Sequence, residues 1–207
     1  MAALLQMARS ESLERAAAPV VHERRTNCRF HTVMRVARVS RTGDAGLWRM
    51  RNISDDGMML ITSVPVSVGE RLRIGLSDSV SLEGRAVWWD GERCGVALDQ
   101  PIDCVSVLKG LVEEQKRSGY RPPRLPVSIR AILYGEQRLN AIQVTNISQH
   151  GVGFAHDGSI RAGSNGKLVL PSGREHRGVI RRSTDGHAGM YLIEPFAPAA
   201  LESTALI

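Results

Sequence analysis

The apolar and polar residues of this chain alternate in short runs. Between residues 81 and 89 the apolar or small residues Leu82, Gly84, Ala86 and Trp88 alternate with Glu83, Arg85 and Val87. A period of two is typical of a β-strand that buries one face. The pattern predicts six strands in the first half of the chain: His31–Val39, Trp48–Ile53, Met58–Thr62, Arg71–Leu76, Ser81–Trp89 and Cys94–Leu98.

Turn-forming residues separate these predicted strands. They are Thr42-Gly43-Asp44, Asp56-Gly57, Val68-Gly69 and Asp90-Gly91. Asp-Gly between two strands is a strong hairpin signal, because both residues tolerate the backbone conformation that a tight turn needs. Short strands with closely spaced turns predict a small antiparallel barrel.

The same pattern occurs twice, at an offset of 94 residues. Seven positions agree without a gap: Asn52 and Asn146, Gly57 and Gly151, Gly69 and Gly163, Leu76 and Leu170, Gly84 and Gly178, Gly95 and Gly189, and Pro101 and Pro195. Two copies of this length indicate a duplicated domain and not a solenoid of small repeats. We therefore expect a second six-stranded barrel between Leu125 and Leu192.

A helix is predicted between the two copies, over Asp103–Arg117, with Asp103 as its cap and Gly119 at its end. Its predicted apolar stripe consists of Val105, Leu108, Leu111 and Val112. The stripe is expected to pack against a barrel, and a homodimer interface is the alternative. The predicted fold is mostly β, with an N-terminal helix or tail (1–20), barrel 1 (21–103), a linker helix (104–119) and barrel 2 (120–207).

Composition narrows the classes of partner. The formal net charge is +6, and arginine supplies 24 of the 27 basic residues. Guanidinium groups bind guanine edges and phosphates in a planar fork, although GC-rich coding would produce the same bias. Aromatic residues are only 4% of the chain, so stacking platforms for single-stranded nucleic acid are scarce. The hypothesis that the chain is a general nucleic-acid binder would rest on its net positive charge alone.

The sequence also limits the compartment and the chemistry. Three cysteines without a C-x-x-C pair indicate a reducing compartment, and no run approaches the ~18 apolar residues of a membrane span. The first residues do not resemble a signal peptide. We therefore expect a cytoplasmic protein with no membrane partner. The motifs of phosphate-binding loops, zinc proteases and serine hydrolases are missing, so we predict no enzyme, no metal and no cofactor.

Two sequence motifs in the first half of the chain contain side chains that suit ligand binding. Arg25-Thr26-Asn27-Cys28-Arg29 is followed, after 22 residues, by Asn52-Ile53-Ser54-Asp55-Asp56-Gly57. This order resembles the signature of the PilZ domain family, R-x-x-x-R and then D/N-x-S-x-x-G. The strand-like runs that follow also resemble the family, so the resemblance covers about 24–103 and again 121–196.

The resemblance implies a receptor for cyclic di-GMP. In the family these motif residues bind that ligand, which implies ligand contacts for Arg25, Arg29, Asn52 and Ser54, with Gly57 shaping the turn. Arginine suits guanine O6 and N7 as well as phosphate. Residues i and i+2 of a strand share a face, so the asparagine and the serine can point together. Arg24 is a further candidate contact.

The second copy departs from this pattern. Asn146, Ser148 and Gly151 are intact, but the position of the first arginine holds Tyr120. Arg121 and Arg124 remain as candidate contacts, Arg124 standing before barrel 2 as Arg29 stands before barrel 1. We expect a weakened site here, in a barrel that serves as a scaffold, a dimer surface or an output face.

The sequence therefore predicts a cyclic di-GMP receptor that relays the level of this second messenger to an effector protein. By resemblance, the output would concern motility, polysaccharide or biofilm formation. The alternative is a PilZ-like adaptor that binds protein and no longer binds nucleotide.

Overall fold

The computed structural model describes residues 35–118, 122–135 and 138–207. Barrel 1 consists of β1 (Arg35–Arg41), β2 (Asp44–Ile53), β3 (Gly57–Ile61), β4 (Arg71–Gly75), β5 (Ser81–Trp89) and β6 (Arg93–Leu98). Barrel 2 consists of β7 (Leu125–Tyr134), β8 (Leu139–Ser148), β9 (Gly151–Ala155), β10 (Asn165–Val169), β11 (Glu175–Thr184) and β12 (His187–Leu192). Helix α1 (Cys104–Ser118) lies between them in sequence, and two short 3-10 helices, η1 (Pro198–Leu201) and η2 (Thr204–Leu206), follow barrel 2.

Both barrels are closed and antiparallel, and they share one topology. The strand order is β1-β2-β3-β6-β5-β4 in barrel 1 and, in the same sense, β7-β8-β9-β12-β11-β10 in barrel 2. The offset of 94 residues is kept in the pairing, since Gly84 faces Leu72 in barrel 1 and Gly178 faces Gly166 in barrel 2. The predicted fold class, two tandem six-stranded barrels with a connecting helix, is confirmed.

Each barrel encloses its own apolar core, and the two cores meet between β2 and barrel 2. Trp48 and Met50 of β2 point into barrel 1 and are at most 1% exposed. Leu47 points the other way and belongs to the core cluster of barrel 2, together with Leu201 from η1. Burying a large apolar side chain contributes about 1.5–3 kcal/mol. The burial of Leu47 in the core of barrel 2 therefore stabilises the association of the two barrels.

Helix α1 is capped as predicted but turns a different face to barrel 1. Asp103 accepts hydrogen bonds from Ser106 N (3.0 Å) and Ser106 Oγ (2.7 Å). The side chains that pack on barrel 1 are Cys104, Val107, Leu108 and Leu111. The predicted stripe is wrong at Val105 and Val112, which are 41% and 50% exposed. Spacings of three and four residues from Cys104 give one helical face, and these two valines lie beside it.

A β-bulge in β5 changes the direction of its last side chains. Ala86 pairs with Val96, but Trp88 pairs with the next residue, Gly95, so that Val87 is extra. A bulge reverses the alternation beyond it. Trp88 is therefore 40% exposed, whereas simple alternation puts it on the inward face with Ala86. Trp89 packs against the core of barrel 1, so one ring points in and one out, as the sequence predicts.

The segment after barrel 2 returns to barrel 1. Trp48 Nε1 donates to the backbone oxygen of Glu202 over 2.8 Å. The Glu202 carboxylate, in a residue only 7% exposed, accepts from Ser63 N (2.6 Å) and Ser63 Oγ (2.7 Å). Asp44 accepts from Thr204 N and Oγ1 at 2.9 and 2.6 Å. We call residues 198–207 the C-terminal clamp.

Among the described residues, no helix has both the length and the apolar character that crossing a membrane requires.

Candidate functional site

The first motif is only partly within the described residues. Arg24, Arg25 and Arg29 lie outside them. Asn52 lies near the end of β2, Ser54 follows that strand, and Gly57 begins β3. The contacts predicted between the arginines and the other motif residues therefore stay predictions.

Ser54 and Gly57 form the turn between β2 and β3. Ser54 N donates to the Gly57 carbonyl over 2.8 Å, and Ser54 Oγ donates to the same oxygen over 3.1 Å. Gly57 has no room for a side chain, because a Cβ would collide with the carbonyl of Val96. The glycine is therefore needed for a close backbone approach, and the serine holds the turn that positions Asn52.

Asn52 belongs to a row of residues that crosses four strands on the outside of barrel 1. It pairs with Met59 of β3, which pairs with Gly95 of β6, which pairs with Trp88 of β5. The indole of Trp88 lies directly over Gly95, where a Cβ would overlap the ring. An exposed aromatic face thus lies three strand spacings, about 14 Å, from the motif asparagine.

Trp88 is a candidate site residue that sequence reasoning did not assign. The sequence indicated only that one of the two adjacent tryptophans faces outward. The glycine at position 95 was the available signal, because it recurs at position 189 and leaves space for a flat side chain on the neighbouring strand. Linking it to Asn52 requires the strand order of the closed barrel.

Barrel 2 repeats this row with different side chains. Asn146 pairs with Gly153, Gly153 with Gly189, and Gly189 with Arg182. The side chain of Asn146 lies over the first glycine and that of Arg182 over the second. Two glycines thus let the amide and the guanidinium lie flat against the sheet.

The second motif is assembled around Asn146. Arg124 Nη1 donates to Asn146 Oδ1 over 2.7 Å, and Asn146 Nδ2 donates to Thr145 Oγ1 over 3.2 Å. Ser148 Oγ donates to the carbonyl of Gly151 over 3.2 Å, as Ser54 does to Gly57. Of the candidate residues in the second copy, Arg121 lies outside the described residues and the other four are placed together.

A cleft of about 560 Å³ lies between the second motif and barrel 1. Its lining includes Arg124, Asn146, Ser148 and Arg182 from the side of barrel 2, and Arg35, Arg38, Ser77, Asp78 and Glu114 from β1, the loop after β4 and helix α1. Four arginines and two acidic residues give the lining a positive balance. We call this space the interbarrel cleft.

The carboxylate of Glu114, on the acidic side of the cleft, is held in its ionised form. Hydrogen bonds from Ser77 and Ser79 lower the pKa of Glu114, and the nearby charge of Arg35 lowers it further. Arg35 also donates from Nε to the carbonyl of Leu76 over 3.1 Å, which fixes its stem at the edge of the cleft. The cleft therefore presents fixed charges of both signs, with the positive ones in excess.

The described cysteines are not nucleophiles. Burial raises the pKa of the Cys94 thiol to about 11, and burial followed by the hydrogen bond and charge of Asp55 raises that of Cys104 to about 11. Thiols with such pKa values stay protonated at neutral pH and react poorly. Within residues 35–118, 122–135 and 138–207, histidine, cysteine and carboxylate side chains form no group of three or more that could hold a metal ion.

The chain is similar to several solved structures at low sequence identity. The structure of the Borreliella burgdorferi PlzA protein in complex with c-di-GMP is 12% identical, covers 82% of this chain and 88% of that chain, and gives a TM-score of 0.34. The inhibitor of motility MotI/DgrA from Bacillus subtilis is 12% identical, with coverage of 82% and 93% and a TM-score of 0.33. YcgR from Escherichia coli in complex with c-di-GMP is 9% identical, with coverage of 81% and 77% and a TM-score of 0.27.

The sequence comparison concerns barrel 1. No curated protein matches the chain. The sequence model described as the PilZ domain matches residues 22–114, which include both halves of the first motif, all of barrel 1 and most of helix α1. This part of the chain is similar to the PilZ domain.

Proposed function

We propose that this chain is a receptor for cyclic di-GMP, bound at barrel 1 by Arg25, Arg29, Asn52 and Ser54. The observation that carries the proposal is the extent of the family match. Residues 22–114 contain the R-x-x-x-R segment and the N-x-S-x-x-G turn in the family's order. The ligand is the only small molecule that the function requires.

The residue types suit the ligand. A cyclic dinucleotide offers two phosphates and two guanines, and a guanidinium binds either through charge-assisted or bidentate hydrogen bonds. The side-chain amide of Asn52 offers a donor and an acceptor to a guanine edge without a buried charge. Ser54 closes the turn that follows Asn52, because its Oγ donates to the Gly57 carbonyl over 3.1 Å.

Trp88 extends the same surface. Its exposed ring lies flat over Gly95, in the row that begins at Asn52. A purine that stacks on such a ring gains about 1–3 kcal/mol. Trp88 is therefore proposed as a stacking platform for one guanine, at the end of the site opposite the asparagine.

The proposed output is a change of contacts and not a reaction. Ligand binding orders the arginine segment against barrel 1 and changes the surface that an effector protein meets. The protein acts in the cytoplasm, where the messenger is made, and controls motility, polysaccharide or biofilm formation. No catalytic step is assigned to the chain.

One observation favours the alternative, an adaptor that binds protein only. Asn52 is 3% exposed and Ser54 is 7% exposed, so both motif side chains of barrel 1 have little surface for a ligand. In barrel 2 the equivalent asparagine is more exposed. In this alternative the buried Asn52 serves only the packing of barrel 1, so the motif is kept although the barrel no longer binds the ligand.

Titration calorimetry with cyclic di-GMP separates the two functions. Wild type is expected to bind, Arg25→Ala and Arg29→Ala are expected to lose binding by at least tenfold, and all three should have the same circular dichroism spectrum. Arg174→Ala is the matched control, because Arg174 lies in the exposed turn between β10 and β11. Wild type without heat at about 100 µM ligand, where a micromolar site is saturated, would favour the adaptor.

A further inference from the structure

We propose that the outer surface of barrel 2 docks an acidic, partly apolar segment of a protein partner. The surface lies on β7, β10, β11 and the end of β12, and we call it the barrel 2 face. Its outward residues are Tyr134, Lys167, Arg177, Val179, Tyr191 and Ile193. That an effector protein exists rests on the proposed function, whereas the place and the chemistry of the contact come from a comparison of the two barrels.

One row of the barrel 2 face crosses four strands. Tyr134 of β7 pairs with Lys167 of β10, which pairs with Arg177 of β11. Ile193, just after β12, donates from its backbone N to the carbonyl of Arg177 over 2.9 Å. The next residue of β10, Leu168, is buried, so the row points outward. Three strand spacings make the row about 14 Å long.

A groove of about 370 Å³ lies along this row. Its two ends are apolar, because Tyr134 and Ile193 are both exposed, the isoleucine to 64%. Lys167 Nζ lies 5.1 Å from the centre of the Tyr134 ring, which favours a fixed position of the cation. The groove therefore combines apolar ends with basic residues between them.

Barrel 1 has an equivalent groove with a different character. Every residue that lines the groove of barrel 2 has its counterpart, 94 positions earlier, in the lining of a groove of about 430 Å³. The counterparts of Lys167 and Arg177 are Arg73 and Glu83. Arg73 and Glu83 form an ion pair of 2.7 Å across the strands. Opposite charges at such positions stabilise a sheet and like charges destabilise it, so barrel 2 has an unfavourable pair where barrel 1 has a favourable one.

A second ion pair of barrel 1 is also missing from the barrel 2 face. Arg85 and Asp99 approach to 3.8 Å in barrel 1. The equivalent residues of barrel 2 are Val179 and Ile193. Tyr191, which pairs with Val179, stands where barrel 1 has an alanine. Exposed apolar and aromatic side chains in place of surface ion pairs are typical of a protein interface.

The charge of the barrel 2 face favours an acidic partner. Lys167 Nζ binds Glu175 Oε1 over 3.0 Å, whereas the ion pairs of the described residues leave the Arg177 guanidinium without a carboxylate. A carboxylate of the partner would accept paired hydrogen bonds from Arg177 and relieve its repulsion from Lys167. An apolar side chain next to that carboxylate would contact Ile193.

Other occupants match the barrel 2 face less well. Barrel 2 is closed, so none of its described strands has a free edge to which a partner could add a strand. A second copy of the chain, related by a two-fold axis, would place Lys167 and Arg177 near the same residues of that copy, and like charges repel. Nucleic-acid interfaces are much more positively charged than a surface with apolar ends.

The experiment uses the isotope-labelled full chain and the peptide acetyl-Glu-Asp-Phe-Glu-Leu-Asp-amide, and it follows the amide resonances of the chain during titration. We expect the amides of Lys167, Arg177 and Val179 to shift, and those of Arg73 and Glu83 in barrel 1 to stay in place. A peptide with serine at every acidic position should bind at least fivefold more weakly. So should a peptide with alanine in place of phenylalanine and leucine.

Arg177→Glu separates loss of docking from loss of folding. It gives the barrel 2 face the charge pair of barrel 1, so it should raise the thermal midpoint while it weakens peptide binding at least tenfold. Ile193→Asp should weaken binding at least fivefold. Arg71→Glu is the matched control, because Arg71 is an exposed arginine in the lining of the groove of barrel 1, and it should leave the affinity within twofold.

The titration is repeated with Arg29→Ala, which removes a contact of the proposed receptor site, and the peptide should bind this variant as it binds wild type. Wild type that binds the peptide but not cyclic di-GMP would defeat only the proposed receptor function. The docking proposal is overturned if the peptide does not shift the barrel 2 face, or if the serine peptide binds equally well. It is also overturned if light scattering shows a dimer that Arg177→Glu dissociates, or if duplex DNA shifts the same amides more strongly than the peptide does.

Discussion

Arg124 and Asn146 are joined by a hydrogen bond of 2.7 Å from Nη1 to Oδ1. The arginine precedes the first strand of barrel 2, and the asparagine lies near the end of the second strand. Two parts of a sequence motif that are separated along the chain thus contact one another across a strand pair. Because the bond is charge-assisted, it fixes both side chains at the entrance of the interbarrel cleft.

This contact predicts coupling between the two residues. Arg124→Ala and Asn146→Ala are each expected to lower the free energy of unfolding by about 0.5–1 kcal/mol, since the arginine is exposed. The double variant should lose less than the sum of the two. Urea denaturation of the four proteins measures the difference. Strict additivity would mean that the bond does not form in solution.

Trp88 offers an optical test of the site on barrel 1. We expect cyclic di-GMP to change the tryptophan emission of wild type and to leave that of Trp88→Phe nearly unchanged, because Trp48 is buried and Trp89 packs on the core. Loss of one stacked base costs about 1–3 kcal/mol, so Trp88→Ala should weaken binding by about five- to hundredfold. A signal that persists in Trp88→Phe would place the ligand elsewhere.

The C-terminal clamp predicts a large effect of a single carboxylate. Glu202→Ala removes the acceptor of the part-buried Ser63 N–H and hydroxyl and of the buried Thr62 hydroxyl, which costs about 1–3 kcal/mol. Glu202→Gln keeps one acceptor oxygen and should cost less. Chemical denaturation gives both values. The matched control is Glu175→Ala. Among the described residues, the exposed Glu175 carboxylate contacts Lys167, so its loss should lower the free energy of unfolding by under about 1 kcal/mol.

The clamp is also expected to weaken in acid. Partial burial of Asp44 opposes its ionisation, but hydrogen bonds from Thr204 and Ser203 outweigh this and lower its pKa below the ordinary value of about 3.9. A lowered folded pKa contributes stability that is present above the unfolded pKa and is lost as the pH falls through the folded one. The extra stability of wild type over Thr204→Val, measured by denaturation, should therefore shrink below about pH 4. A difference that stays constant down to pH 2 would contradict this.

Helix α1 gives a comparison between a buried and an exposed neighbour. Leu111 is 1% exposed and Val112 is 50% exposed. Leu111→Ala should lower the free energy of unfolding by about 2–5 kcal/mol, and Val112→Ala by less than about 0.5 kcal/mol. Equal losses, measured by thermal or urea denaturation, would mean that Val112 is covered in solution, as in a dimer.

Local patterns were enough to predict the barrels. Strand β5 begins and ends at the predicted residues, Ser81 and Trp89, and barrel 2 begins at Leu125 as expected. The repeated glycines are informative because each answers a local constraint: Gly69 and Gly163 have a positive φ in a turn, and most of the others lie where an atom of a neighbouring strand leaves no room for a side chain. Gly84 and Gly178, for example, both lie against a carbonyl of the neighbouring strand, so the same constraint acts in both copies.

The features that sequence reasoning missed depend on long-range packing. Trp88 points outward because a β-bulge in β5 shifts the strand register between Ala86 and Trp88. The alternation of apolar and polar residues in the sequence does not reveal where such a bulge lies. The bond between Trp48 and Glu202 joins residues 154 positions apart. The cleft arginines at positions 35, 38 and 182 are equally scattered along the chain, and only the barrel topology brings them to the same place.

The clamp affects how the two barrels move. Barrel 2 is attached to barrel 1 by Leu47, which packs in its core, and by the residues after Phe196, which bond to β2 and to Ser63. Because these attachments lie at separate places on barrel 1, we expect the two barrels to move as one body. Removing residues 198–207 would leave fewer attachments and would let each barrel move more independently.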